Sequence, residues 1–134
     1  MTNSMTADEF NRRGSKAHKY GVSAAPERTY RGRVFSSKAE AVYARDLDTI
    51  QRGGHVRLWV SQPIVLLGED TAFRPDFLVI GRIGAMDFVD VKGAETREFI
   101  AIKKLWRKYG PADLRVVKYA NGGFETVEIV SKQM

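Results

Sequence analysis

RPDFLVIGRIGAMDFVDVK, residues 74–92, contains the two extended runs around which the rest of the chain is arranged. Asp76 to Ile80 and Met86 to Lys92 are rich in β-branched and aromatic residues. The Gly-containing link 81–85 makes a hairpin their simplest connection. Side chains alternate along a strand, so Asp90 and Lys92 project from one face while Val89 and Val91 project from the other. Asp76 opens the first run, directly after Pro75, at the end far from the link. Asp90 and Lys92 lie near the same far end of the second run. Three ionisable groups are therefore expected to meet at one end of the sheet.

Outward from this hairpin the pattern alternates between helix and strand. Upstream, Ser36 and Ser37 offer an N-cap for a helix from about Lys38 to Arg52, with Ala39, Tyr43, Leu47 and Ile50 as its apolar stripe. Gly53-Gly54 ends it. His55 to Val60 alternates, with Val56, Leu58 and Val60 on one face. Pro63 interrupts before the apolar run Ile64 to Leu67, and Gly68-Glu69-Asp70 makes a turn. Before the helix, Tyr30 to Phe35 reads as a short extended segment broken at Gly32. Downstream, Thr96 to Tyr109 is a second helix that buries Phe99, Ile102, Leu105 and Trp106, stopped by Gly110-Pro111. Leu114 to Tyr119 is a strand, and Asn121-Gly122 closes a hairpin with Phe124 to Val130. The order predicts an α/β single domain, a mixed central sheet flanked by helices, over residues 28–134. Residues 1–27 are polar, with Gly14, Gly21 and Pro26 and no sustained period, and read as a flexible basic arm.

Composition narrows the chemistry. The chain has 134 residues, 43% of them hydrophobic, which suits one folded domain. It has no cysteine and two histidines, His18 and His55, so thiolate and imidazole metal sites are excluded. Any metal must be a hard ion held by oxygen, magnesium or manganese. The net charge is +6, and the distribution says more than the total. Residues 1–35 carry seven Lys/Arg against three Asp/Glu, residues 36–92 seven against eight, and residues 93–134 eight against five. Basic flanks around an acidic middle suit a polyanionic partner handled through a metal. No apolar run approaches the ~20 residues that span a bilayer, and no signal-peptide pattern opens the chain. A cytoplasmic protein, with no membrane partner, is the expectation.

Two carboxylates that bind a divalent cation make a Lewis acid for a phosphoryl oxygen and lower the pKa of bound water. A lysine beside them can orient or deprotonate the attacking water, or neutralise charge on the phosphate. Pro75-Asp76, thirteen intervening residues and Asp90-Val91-Lys92 together resemble the PD-(D/E)xK nuclease motif. More narrowly, the chain resembles small phage-encoded members of that superfamily, including Holliday-junction-resolvase-like proteins. The resemblance runs over about residues 30–118 and includes Phe35 to Glu40, Gln62-Pro63, Phe73 to Phe77, Asp90 to Gly93 and Thr96. It implies a restriction-endonuclease-like fold with the active site at one sheet edge. It also implies Asp76 and Asp90 as metal ligands, Lys92 as the catalytic lysine, Glu40 as a further acidic ligand and Gln62 in support. The main-chain carbonyl of Val91 would also reach the metal. Asp90 stands where many members carry Glu.

The activity so implied is magnesium- or manganese-dependent cleavage of branched DNA, such as a four-way junction in recombination. The protein would be a homodimer, in host-cell cytoplasm if phage-encoded. Two alternatives stay open: a less selective phage nuclease or nickase in replication, packaging or transposition, and a non-catalytic DNA-binding module of the same fold. Single residues carry alternatives as well. Ser37-x-x-Glu40 also fits a capping box that would turn Glu40 back to its own helix. Gln62 also reads as a plain strand-end residue. Lys103, Lys104, Arg107 and Lys108 on the second helix are candidate DNA contacts or an ordinary solvated face. Trp59 and Trp106 read as core or interface residues.

Overall fold

A computed structural model describes residues 23–133. The chain divides into two compact units, Met1–Asp46 and Leu47–Met134. In the first unit, Ala25–Arg28 form a 3-10 turn, and β1 (Thr29–Tyr30) pairs antiparallel with β2 (Arg33–Val34). Arg28 is buried and its Nη1 donates to the carbonyl of Phe35 at 3.2 Å. Residues 25–27 of the expected arm therefore lie in a 3-10 turn, and its residues 1–22 lie outside the described residues. Helix α1 (Lys38–Arg52) begins in this unit and runs through its boundary.

The second unit is built on five strands: β3 (Val56–Ser61), β6 (Phe77–Gly81), β7 (Met86–Val91), β8 (Asp113–Ala120) and β9 (Gly123–Val130), in the spatial order β3-β6-β7-β8-β9. The sheet is mixed. β7 and β8 pair in parallel across helix α2 (Arg97–Tyr109), and the other neighbours are antiparallel. A separate ribbon, β4 (Val65–Leu66) with β5 (Ala72–Phe73), was not expected from the sequence. The β6–β7 hairpin has the expected link, with Ile80 opposite Met86. The β8–β9 hairpin turns at Asn121 (φ 55°) and Gly122 (φ 80°), the paired positive φ values a two-residue type I′ turn requires.

One sheet face carries the core. Phe88, Leu114, Val116 and Val130 from the strands meet Phe99 and Trp106 of α2 and Leu67. Trp106 is fully buried, lies 5.2 Å edge-on to Phe88, and donates its indole N–H to Ala112 O at 2.7 Å. Burying ~200 Å² of aromatic surface at ~25 cal/mol per Å² contributes about 5 kcal/mol, an upper estimate. Gly110 caps α2 in an extended conformation ahead of Pro111, and only glycine fits there, since a Cβ would sit 2.5 Å from Trp106 Nε1. On the opposite face Phe77, Val89 and Val117 are buried, with Trp59 edge-on to Phe77 at 5.8 Å.

Two expected apolar faces differ. In β3 a register shift between Val56 and Leu58 inserts an extra residue. Val56 is buried, but Leu58 and Val60 are exposed and Trp59 turns inward instead. One added residue inverts the alternation of everything after it. In α1 the buried residues are Glu40, Ala41, Ala44, Leu47 and Asp48, whereas Ile50 is exposed. The helix is rotated from the expected stripe, and in that orientation Asp48 Oδ1 accepts the indole N–H of Trp59 at 3.0 Å. No helix among the described residues is long and apolar enough to cross a membrane.

Candidate active site

Asp76 lies immediately before β6, and Asp90 and Lys92 lie at the C-terminal end of β7. The structure brings these three together. The β6–β7 ladder stops at Phe77 opposite Val89, and side chains take over where the next pair would stand. Asp76 Oδ2 accepts the backbone N–H of Val91 at 2.7 Å, and Asp90 Oδ1 accepts the backbone N–H of Asp76 at 3.2 Å. This reciprocal clasp fixes both carboxylates against the backbone of the neighbouring strand. β7 is the middle strand of five. The constellation therefore sits at one end of the sheet, at the end of its central strand.

Asp90 is 3% exposed. Its Oδ2 is buried without a directed hydrogen bond among the described residues, and Lys92 Nζ meets it as an ion pair at 2.7 Å. The ammonium also lies 3.9 Å from the centroid of the Phe99 ring, close enough for a cation–π attraction of about 1–2 kcal/mol. The Lys92 backbone N–H donates to Val117 O at 2.9 Å, which ties the residue to β8. Phe99 is thus a site neighbour that sequence reasoning placed only in the core. Its position in the first turn of the helix after the lysine is the signal that could have found it.

Two further candidates are placed less directly. Gln62 follows β3 with φ 53°, a left-handed conformation that costs a non-glycine residue about 1–2 kcal/mol and is further disfavoured before Pro63. Its backbone N–H donates to Asp76 O at 2.9 Å, so this strained residue fastens the segment bearing the first carboxylate. Glu40 belongs to the first unit. Ser37, not Ser36, caps the helix: its hydroxyl accepts from Glu40 N and donates to Glu40 Oε2, both at 3.1 Å. The sequence alternative in which Glu40 turns back to its own helix start is the one observed for that oxygen. Glu40 is buried, at 6% exposure.

The basic helix needs correction. Lys103, Lys104, Arg107 and Lys108 do not form one outward face. Lys103 is buried, its Nζ donating to Glu95 Oε1 and, at 2.9 Å, to Glu128 Oε1. Arg107 Nη2 lies 3.6 Å from Glu128 Oε2. The hydrogen bond to Glu95, then that to Glu128, raises the Lys103 pKa above its ordinary value against the opposing pull of burial. Only Lys104 and Lys108 of the four are exposed. Helical spacing put 103 with 107 and 104 with 108, but not which pair turns inward.

Among the described residues no group of three or more His, Cys, Asp or Glu side chains is gathered to hold a metal. What the site offers is two carboxylates and a backbone carbonyl. The Val91 N–H points toward Asp76, and in a strand the C=O of a residue points to the same side as its N–H. That hard-oxygen set fits magnesium, which binds through one or two carboxylates and keeps waters or substrate phosphates as its other ligands. It does not fit an all-protein cage. Comparison with known proteins adds no family. The chain matches no protein-family model, no curated protein and no solved structure.

Proposed function

We propose that this protein is a magnesium- or manganese-dependent DNA endonuclease of the PD-(D/E)xK type that cuts branched DNA, with the four-way junction as its best substrate. The observation that carries the reading is the convergence of Asp76, Asp90 and Lys92 at the end of the central strand. Asp76, Asp90 and the Val91 carbonyl would hold the ion, with Gln62 in support. When bound, the ion supplies Lewis acidity and a more acidic water. The chain does the rest. The clasp between Asp76 and Asp90 orients the carboxylates, Phe99 backs the Lys92 side chain, and the Lys92 ammonium presents positive charge to an incoming phosphate. The net charge of +6 favours a polyanionic partner. Two matched cuts across a junction call for a two-fold homodimer.

The test is a synthetic four-way junction and a linear duplex of the same sequence, each incubated with magnesium, manganese or EDTA. Symmetric nicks at the branch, abolished by EDTA, are the expected result. Equal cutting of the duplex would replace the junction specificity with a general nuclease or nickase. A second reading, a non-catalytic DNA-binding module, is favoured by the absence of a third carboxylate among the described residues at the site. It predicts salt-sensitive binding with no cleavage in either ion.

A further inference from the structure

Past Lys92 the same sheet face opens into a cavity of about 140 Å³ that the roles above leave unused. Lys92 stands at one side. Phe99 from α2, Val116 from β8 and Val127 from β9 give it apolar wall, and Lys118 and Glu128 bring polar ends to it. Its shape owes something to a β-bulge. The β8–β9 register shifts between Val116, opposite Glu128, and Val117, opposite Thr126, so Val127 has no partner. A bulge re-aims side chains locally, and here Val127 and Glu128, adjacent in sequence, line the same cavity.

Size and charge specify an occupant. A closed apolar cavity of about 150 Å³ accommodates benzene, so this half-open one suits a single six-membered ring better than a fused purine. The carboxylates near it are already balanced: Glu95 and Glu128 both accept from Lys103, and Arg107 approaches Glu128. Lys118 is exposed and forms no ion pair among the described residues. An occupant with a flat ring, a hydrogen-bond donor and an attached anion meets all three conditions.

We propose that the cavity is a pyrimidine subsite. It receives one unstacked pyrimidine of the bound DNA strand, with its ring against Val127 and the exposed edges of Phe99 and Val116 and its phosphate on Lys118. Glu128 accepts from the exocyclic amine of cytosine, the pairing carboxylates make with that base, and so ranks cytosine above thymine, which presents a carbonyl there. The inference rests on the nucleic-acid partner argued above, not on cleavage.

The test is fluorescence anisotropy of the full chain in EDTA at pH 8 with labelled 12-mers of dC, dT, dA and abasic sugar. dC should bind about 10-fold tighter than dA or the abasic strand, within the range for one specific base-edge contact, with dT between. Val127→Trp fills the cavity from an exposed position and should erase the difference between dC and dA. Val127→Phe is the milder filler should the first unfold. Lys118→Gln should weaken all strands alike. Equal affinity for dC and dA overturns the subsite and leaves the nuclease reading to the junction assay. A cytosine preference that survives a folded filling variant also overturns it. A preference that is lost on filling, with no cutting in either ion, supports the subsite and removes the nuclease reading.

Discussion

Asp76 has two separable jobs in the structure, and substitution should divide them. Its Oδ2 accepts the Val91 N–H at 2.7 Å where the strand ladder has ended, and its charge is one of two carboxylates available to a cation. Asp76→Ala leaves the partly buried Val91 N–H without this acceptor, at a cost of about 1–3 kcal/mol. For a chain of this length, at about 4 °C per kcal/mol, the melting temperature should fall by roughly 4–12 °C. Asp76→Asn keeps a neutral acceptor in place. It loses only the charge-assisted part of the bond, about 1 kcal/mol or less, and so roughly 4 °C at most. Both variants remove the carboxylate. Outer-shell changes at metal sites already cost about 10–100-fold, so junction cleavage should drop at least ~100-fold in each. The assay is calorimetry beside single-turnover cleavage of a labelled junction in manganese. Cutting near the wild-type rate by a folded Asp76→Asn protein refutes the metal-ligand assignment. Equal melting temperatures for Ala and Asn refute the structural role of the Val91 bond.

Lys92→Met keeps a side chain over Phe99 but leaves Asp90, 3% exposed, without its counter-ion. Discounted for the partial exposure of Lys92, the expected loss is about 1–3 kcal/mol, and Asp90→Asn should restore part of it in the double variant. A double variant no more stable than Lys92→Met shows that the pair is not coupled. Lys103 has its pKa raised by Glu95 and Glu128. Its contribution is complete below the unfolded value of about 10.4 and is lost as pH climbs through the higher folded value. The melting temperature should therefore fall more steeply above about pH 10 in the wild type than in Lys103→Met; parallel curves contradict this. Replacing exposed Lys104 and Lys108 with Ala should flatten the log-affinity against log-salt slope by about 2 if both meet phosphate. An unchanged slope means the pair is only solvated.

Much of the scaffold is legible from local chemistry. Both helices occur close to where caps and glycines place them, and Asn121-Gly122 and the link 81–85 close the expected hairpins. The convergence of Asp76, Asp90 and Lys92 follows from strand alternation plus one hairpin, which is short-range information. What escapes is set by tertiary contacts. An extra residue after Val56 exchanges the faces of Leu58 and Trp59, and alternation carries no signal for it. Asp48 turns inward because it has an indole to receive, and Lys103 because two carboxylates wait for it from elsewhere in the chain. A helical stripe counts hydrophobicity and misses buried polar groups whose partners are distant in sequence. The pairing of β7 with β8, which puts Lys118 beside Lys92, also needs the whole sheet to be seen.

The parallel seam between β7 and β8 has a consequence for assembly. The hairpins on either side of it close through short links, while the seam spans all of α2 between Val91 and Asp113. Loop-closure entropy makes the hairpins the early events and their docking the slow one. The cavity beside Lys92 straddles that seam, drawing Val116, Lys118, Val127 and Glu128 from its far side. A chain halted with both hairpins formed but undocked would own the Asp76–Asp90 clasp and still lack the cavity beside Lys92.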